Sequence, residues 1–375
     1  MSQPYPTTAR AADRARVGAI DAEIRELQAR IRVLQLEQAS FQRRLDAYKY
    51  PVLTLPNEIA SEIFIHCLPP YPDCPPLTGL DSPPSLTHIC RTWREIALAT
   101  PRLWRAISTS YVDSEAEQAR VVQTWLERSG CYPLSLQLTV AEQAQNYTLV
   151  AMLSHRERWQ HAELEIASSE GALIEGPFPL LESLSLSVDD FDYTHPTTSY
   201  GDFPQLRAVT LDDAHHGTWL PMSQLTSLTF DEVGPADYLP LLHGAANLVR
   251  LNLIDSDTSE PPQGGINLAR LETLVMVDYP DAEISSQILD MFTLPALHTL
   301  HISGGLLGAD PVSSLTLLIS RSGCKLQQVV VAGSRKISKK KLRGAFPSIP
   351  NIVFERKYSW TRKSQFRNEL NINPP

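Results

Sequence analysis

Apolar positions along the chain follow three successive rhythms. In residues 17–49, Ile20, Ile24, Leu27, Ile31, Leu34, Gln38, Phe41 and Leu45 recur in alternating steps of four and three, with no glycine after Gly18 and no proline before Pro51. That heptad spacing predicts one long helix with a seam. The seam fits a parallel or antiparallel coiled coil through which the protein self-associates, or one long helix folded back on its own neighbours. Flanking Glu23, Arg25, Glu26, Arg30 and Arg32 suit either.

Residues 51–107 keep the helical rhythm in shorter pieces. In LPNEIASEIF (55–64), Pro56 suits a first helical turn and Glu58 sits near the positive end of the dipole. Ile59, Ile63 and Cys67 fall on one face, with Ala60, Phe64 and Leu68 on the adjoining one, and Pro69-Pro70 stops the helix. The stretch YPDCPPLTGLDSPP (71–84) has no period and is expected to loop out. SLTHICRTWREIA (85–97) predicts a second helix capped by Ser85, with Leu86, Ile89, Cys90, Trp93, Ile96 and Ala97 as its apolar stripe. After Pro101 a third short turn carries Leu103, Trp104 and Ile107.

The third rhythm is a repeat. L-x-x-L-x-L, with aliphatic or aromatic substitutes, occurs as LESLSL (181–186), LRAVTL (206–211), LTSLTF (225–230), LVRLNL (248–253), LETLVM (271–276), LHTLHI (297–302), LQQVVV (326–331) and IPNIVF (349–354). Successive starts lie 25, 19, 23, 23, 26, 29 and 23 residues apart. This period is that of leucine-rich repeats, in which one short strand per turn stacks into a parallel sheet. PLSLQLTV (133–140) and AELEIA (162–167) read as earlier strands. Helical returns are legible in EAEQARVVQTWLERSG, NYTLVAMLSHRERW, ISSQILDMF and PVSSLTLLISRSG.

The segments PVLTLPNEIASEIFIHCLP and SLTHICRTWREIALATPRLWRAI resemble an F-box of the fungal type. The matching elements are Pro51, Leu55-Pro56 with Glu58, the Ile59/Ile63/Leu68 face, Cys90 with Trp93, and Leu103-Trp104-Arg105. The resemblance implies docking to a Skp-type adaptor, and through it to a cullin-RING ubiquitin ligase of the SCF type. The chain would then be a substrate-recognition subunit. The implied adaptor contacts are Leu55, Pro56, Ile59, Ile63, Leu68, Leu86, Ile89, Trp93 and Trp104. Some of these must instead hold the helices together. The insert at 69–84 is longer than a compact F-box needs and keeps an alternative open: a non-ligase repeat scaffold with a drifted F-box.

Alternation along the strands places Ser185, Ser187, Thr210, Asp212, Thr229, Asp231, Arg250, Asn252, Thr273, Val275, Thr299, His301 and Ser303 on the concave surface. Just past the strands come Asp189-Asp190, Asp212-Asp213, Asp231-Glu232, Asp255 with Asp257, and Asp278 with Asp281. Stacked repeats would align these acids along one rim, either as a ridge for a basic segment or as caps of the turns. Candidate substrate contacts are therefore Asp212, Asp231, Arg250, Asn252, Asp255, Asp278 and His301.

Charge sharpens this division. The net charge of −9 splits into 9 basic and 6 acidic residues over 1–50, 11 and 34 over 51–319, and 13 and 2 over 320–375. An acidic body argues against nucleic acid as a partner. Five scattered cysteines argue against a disulfide framework and for an intracellular setting, cytoplasmic or nuclear. The N-terminal stretch shows no secretory signal, no run is long and apolar enough to predict a membrane span, and the sequon at Asn146 reads as accidental. No nucleotide-binding glycine motif, nucleophile elbow or zinc-protease motif is present. His66, Cys67, Cys74, His88 and Cys90 lack a zinc spacing. The expectation is a receptor that does no chemistry and needs no cofactor or metal. His215-His216 reads as solvated, and SRKISKKKLR (334–343) as a basic surface run or import signal.

The expected fold class is α/β, an irregular leucine-rich-repeat solenoid preceded by a small all-α F-box-like module and an N-terminal heptad helix. The expected segments are a disordered 1–16, a heptad helix at 17–49, the F-box-like 50–108, repeats at 109–355 and a basic tail at 356–375.

Overall fold

A computed structural model of the chain describes residues 7–48, 51–109, 115–139, 147–167, 174, 176–189, 202–212, 220–231, 233–255, 264–278, 288–333 and 337–355. The protein is a mixed α/β molecule with a long N-terminal helix and a large parallel sheet. It divides into two compact units, Met1–Glu62 and Ile63–Pro375.

The first unit is dominated by helix α1, Thr7–Asp46. It starts at Thr7 rather than at residue 17, because TTARAADRARVG contains no proline and is rich in alanine and arginine, both strong helix formers. Its seam residues Ile20, Ile24, Leu27, Ile31, Leu34, Phe41 and Leu45 are all exposed. A one-turn 3₁₀ segment, Pro51–Thr54, precedes α2 (Asn57–His66), and the division between the units falls inside α2.

In the second unit, the predicted helix over 85–97 is two helices, α3 (Pro83–Thr87) and α4 (Arg91–Leu98). Ser82 and Pro83 start α3, so Ser85 lies inside it and donates its hydroxyl back to the Ser82 carbonyl at 2.7 Å. Cys90 has extended backbone and caps α4, its Sγ accepting from the Trp93 amide at 3.5 Å. The 3₁₀ turn Pro101–Leu103 leads to β1 (Ala106–Ser108), followed by α5 (Glu115–Arg128), β2 (Leu134–Thr139), α6 (Tyr147–Leu153) and β3 (Trp159–Ala167).

From there one strand follows each turn of chain: β4 (Ser183–Asp189), β5 (Ala208–Asp212), β6 (Ser227–Asp231) and β7 (Arg250–Asp255). Next come β8 (Ile266–Asn267), β9 (Thr273–Asp278), β10 (Phe292–Thr293), β11 (Thr299–Ser303), β12 (Gln328–Ala332) and β13 (Asn351–Glu355). Among the described residues the sheet has eleven strands in the order β1-β2-β3-β4-β5-β6-β7-β9-β11-β12-β13, while β8 and β10 pair with each other. Every recorded pairing is parallel, and the sheet is open.

The register explains the sequence repeat. Leu184, Val209, Leu228, Leu251, Leu274 and Leu300 are matched across neighbouring strands, and so are Leu186, Leu211, Phe230, Leu253, Met276 and Ile302. All twelve are buried, so the last two leucine positions of each motif form two continuous columns of core. The first position has a separate task. The amides of Leu181, Leu206, Leu225, Leu248, Leu271, Leu297 and Ile349 donate to the carbonyls of Phe178, Phe203, Met222, Ala245, Leu268, Leu294 and Phe346, three residues earlier, at 3.2–3.3 Å. Both ends of each tight turn are buried. Bulky residues stack there: Phe178 lies 5.4 Å from Trp159 and 5.2 Å from Phe203.

Of the helical returns, 115–128 and 147–153 are helical, as is Pro311–Ser322. That last helix ends on the left-handed Gly323, whose amide donates to the Ile319 carbonyl at 2.8 Å. The described part of ISSQILDMF is only a 3₁₀ turn, Ile288–Met291. Part of the basic run is a helix, Lys339–Ala345, capped by Ser338 and anchored by buried Leu342. Lys341 reaches Asp310 at 3.5 Å. His215-His216 and the tail 356–375 lie outside the described residues.

The expected boundary at 108/109 does not separate compact units. β1 is the edge strand of the sheet, and Trp104 packs edge-on against Trp125 of α5 at 5.3 Å, so one core runs through both sides of that point.

Candidate functional site

Two apolar rows run along α2, as the spacing predicts, and they have opposite fates. Ala60 and Phe64 are buried. Ile59 and Ile63 are 50% and 42% exposed, and Cys67 is exposed as well. Pro56 precedes the helix, and its carbonyl accepts from the amides of Ile59 and Ala60 at 3.1 and 3.0 Å, closing the first turn. Leu55 and Pro56 are exposed, as are Val52 and Leu53 just upstream.

In the second unit Phe64 packs on Trp93, ring centroids 4.8 Å apart, leaving Trp93 and Leu68 half-buried. Arg94 Nε donates to the Thr87 carbonyl at 2.7 Å and ties α4 to α3. The break between those helices turns Ile89 outward, where it is 59% exposed, together with Leu98. Leu86 and Trp104 must be corrected as surface contacts. Leu86 is core. Trp104 is fully buried, its indole N–H donates to the Ala97 carbonyl at 3.0 Å, and the Arg128 guanidinium lies over its ring at 4.5 Å. Both hold the helices together.

The insert expected to loop out is a strap on the sheet. Tyr71 Oη donates to Gln160 Oε1 at 2.8 Å, and its ring meets His161 edge-on at 5.5 Å. The Arg105 guanidinium covers the same ring at 3.7 Å. Burial pushes the Tyr71 phenol well above its ordinary range, with the Arg105 charge opposing that shift. Ser135 Oγ donates to the Pro72 carbonyl at 2.5 Å, and Pro76 bridges to Ser108 in parallel at the sheet edge. A cleft of about 200 Å³ remains between strap and sheet, lined in part by Pro72, Cys74, Gln137, His161 and Glu163.

On the sheet, Gln137, Glu163, Ser185, Thr210, Thr229, Asn252, Val275, His301 and Val330 form one register row. Its two ends differ. Gln137, Glu163, Ser185 and Thr210 are half-buried, whereas Val275 and Val330 are buried, as are neighbouring Ile254, Val277 and Ala332. Asn252 and Val275 therefore do not present an open surface. Asn252 is 0% exposed, and its Nδ2 donates to Thr229 Oγ1 at 2.8 Å across β6 and β7. Arg250 and His301 are half-buried. Burial pulls the His301 pKa below its usual value, and the charge of Arg250 adds to this.

The acidic rim is not a single line. Asp212 pairs with half-buried Asp231, but Asp231 pairs with Ile254, while Asp255 pairs with Asp278 one position further along. The side chains of Asp212, Asp255 and Asp278, and the residues Asp190, Asp213, Glu232, Asp257 and Asp281, lie outside the described residues. Two further acids lie on the open half. Glu163 and Glu165 alternate with buried Leu164 and Ile166 in β3, a pattern already visible in AELEIA.

Among the described residues no cluster of histidine, cysteine or acidic side chains is arranged to hold a metal, and no helix is long and apolar enough to cross a membrane. None of the five cysteines is joined in a disulfide. No family model matches the chain, and no curated protein matches it.

Proposed function

We propose that the chain is the substrate-recognition subunit of an SCF-type ubiquitin ligase. Its F-box-like helices dock a Skp-type adaptor, and a leucine-rich-repeat solenoid holds a protein substrate. The observation that carries this reading is the outward apolar row of α2, Ile59 and Ile63, beside a second row that is already core. A helix that has satisfied its own packing gains nothing intramolecularly from a second apolar row, and exposed aliphatics cost solubility unless a partner covers them. Ile89, carried outward by the break between α3 and α4, adds a further apolar anchor.

The solenoid reading is supported by the sequential order of parallel strands and by a motif returning every 19–29 residues. Substrate is assigned to the first half of the concave face, where Gln137, Glu163, Glu165, Ser185 and Ser187 are not buried. The receptor performs no chemistry and takes no cofactor. It acts inside the cell, in cytoplasm or nucleus, by raising substrate concentration near the ubiquitin carrier.

The test is calorimetric titration of the full chain with the Skp-type adaptor of its own organism. Ile63→Glu with Ile89→Glu, and separately Leu55, Pro56 and Ile59 all to Ala, should each abolish binding. Because these side chains are exposed, the thermal unfolding of both variants should match wild type. Unchanged binding in both would refute the surface, and no binding by wild type would leave a repeat scaffold with a drifted F-box.

A further inference from the structure

Helix α1 carries a long apolar stripe that the proposed adaptor surface does not use. Forty residues of helix span about 60 Å at 1.5 Å per residue. Its seam is exposed throughout: Val17, Ile24, Ile31, Gln38 and Leu45 at one heptad position, Ile20, Leu27, Leu34 and Phe41 at the other. A helix with such a stripe owes its stability to whatever covers the stripe.

The charges beside the seam say what covers it. The position preceding the first seam residue of each heptad is Arg16, Glu23, Arg30, Glu37 and Arg44, a strict alternation of sign. The position following the second is Asp21, Gln28, Gln35 and Gln42, almost all neutral. In a parallel pair these two sets face each other, so beyond Arg16 with Asp21, Glu23, Arg30 and Glu37 would each meet a glutamine. In an antiparallel pair each set faces itself. Centred between residues 30 and 37, Arg30 meets Glu37 of the second copy and Glu23 meets its Arg44, each twice by symmetry.

The same register sets Gln28 opposite Gln35, and Asp21 opposite Gln42, where amides can donate. Its core layers are Ile31 with Leu34, Ile24 with Phe41, Ile20 with Leu45, and Leu27 with Gln38. A slip of one heptad either way brings arginine to arginine and glutamate to glutamate, so the sign alternation selects one register. Among the described residues, Glu23, Arg30 and Glu37 form no ion pair within the chain.

We propose that α1 pairs with α1 of a second copy of this chain, antiparallel, in the register that joins Arg30 to Glu37 and Glu23 to Arg44. This gives a dimer in which two receptors share one helical pair, independently of whether the adaptor surface is used. The experiment is sedimentation equilibrium on the full chain and three variants. Wild type should have twice the chain mass of 41.8 kDa. Ile31→Glu should be monomeric, with its near-ultraviolet circular dichroism unchanged. Glu23→Arg should weaken dimerisation about tenfold, and adding Arg44→Glu should restore it. A wild-type monomer at every concentration overturns the proposal, since the seam is then covered within the chain or by another protein. A dimer that survives Ile31→Glu places the interface elsewhere. Failure of the double swap to recover rules out this antiparallel register.

Discussion

Trp93 and Trp104 come from one sequence motif and do different work. Trp104 sits at the centre of a packed group, with its N–H satisfied by Ala97, its ring perpendicular to that of Trp125 and the Arg128 guanidinium over it. Trp93 is half-buried against Phe64. Trp104→Ala should therefore cost about 3–5 kcal/mol in denaturant unfolding, whereas Ile89→Ala should stay within about 0.5 kcal/mol. The sequence told apolar from polar here, but not core from surface. The reason is local: a stripe drawn on one continuous helix over 85–97 puts Ile89 with Leu86 and Trp93, and the break at Cys90 rotates it away. His301 gives a pH signature at the same scale. Its folded pKa lies below the unfolded value of 6.5, through burial first and Arg250 second, so protons favour the unfolded state. The stability this histidine permits is present above pH 6.5 and declines as pH falls through that value. Chemical denaturation at pH 7 and pH 5 should show a smaller loss in His301→Gln than in wild type.

Among the elements, the strap was the least legible. A segment with five prolines and no hydrophobic period reads as solvent-exposed, because its anchoring comes from single residues: Tyr71 between Arg105, Gln160 and His161, and the Pro72 carbonyl on Ser135. A double-mutant cycle of Tyr71→Ala and Arg105→Ala should give a coupling of about 0.5–2 kcal/mol, the range for a cation held over an aromatic face. Additive single effects would mean that the strap is not held by this pair. The turn into the strand also leaves a mark in the sequence. Phe178, Phe203, Leu294 and Phe346 each precede a proline and lie three residues before the first aliphatic of the next motif, and their carbonyls close the turn into the strand.

For the whole molecule, strand spacing located β4 to β7, β9 and β11 to β13, since a motif recurring every 19–29 residues leaves room for one strand and one return, whereas β1 lies where a short helical turn is expected. It could not reveal which end of the row from Gln137 to Val330 is open, because a valine facing outward in isolation reads the same whether or not it is buried. Continuity of the core makes a further prediction. Phe178 lies between Trp159 and Phe203, joining successive turns, so Phe178→Ala should cost about 3–5 kcal/mol and lower the single unfolding transition of the sheet unit. In the proposed function, the helices within 52–68 and 88–99, and not the sheet, receive the adaptor. Amide hydrogen exchange of the full chain with and without the Skp-type adaptor tests it most directly. Slowed exchange within 52–68 and 88–99, with β4 to β13 unchanged, is the predicted result; protection confined to the sheet, or none at saturating adaptor, would contradict it.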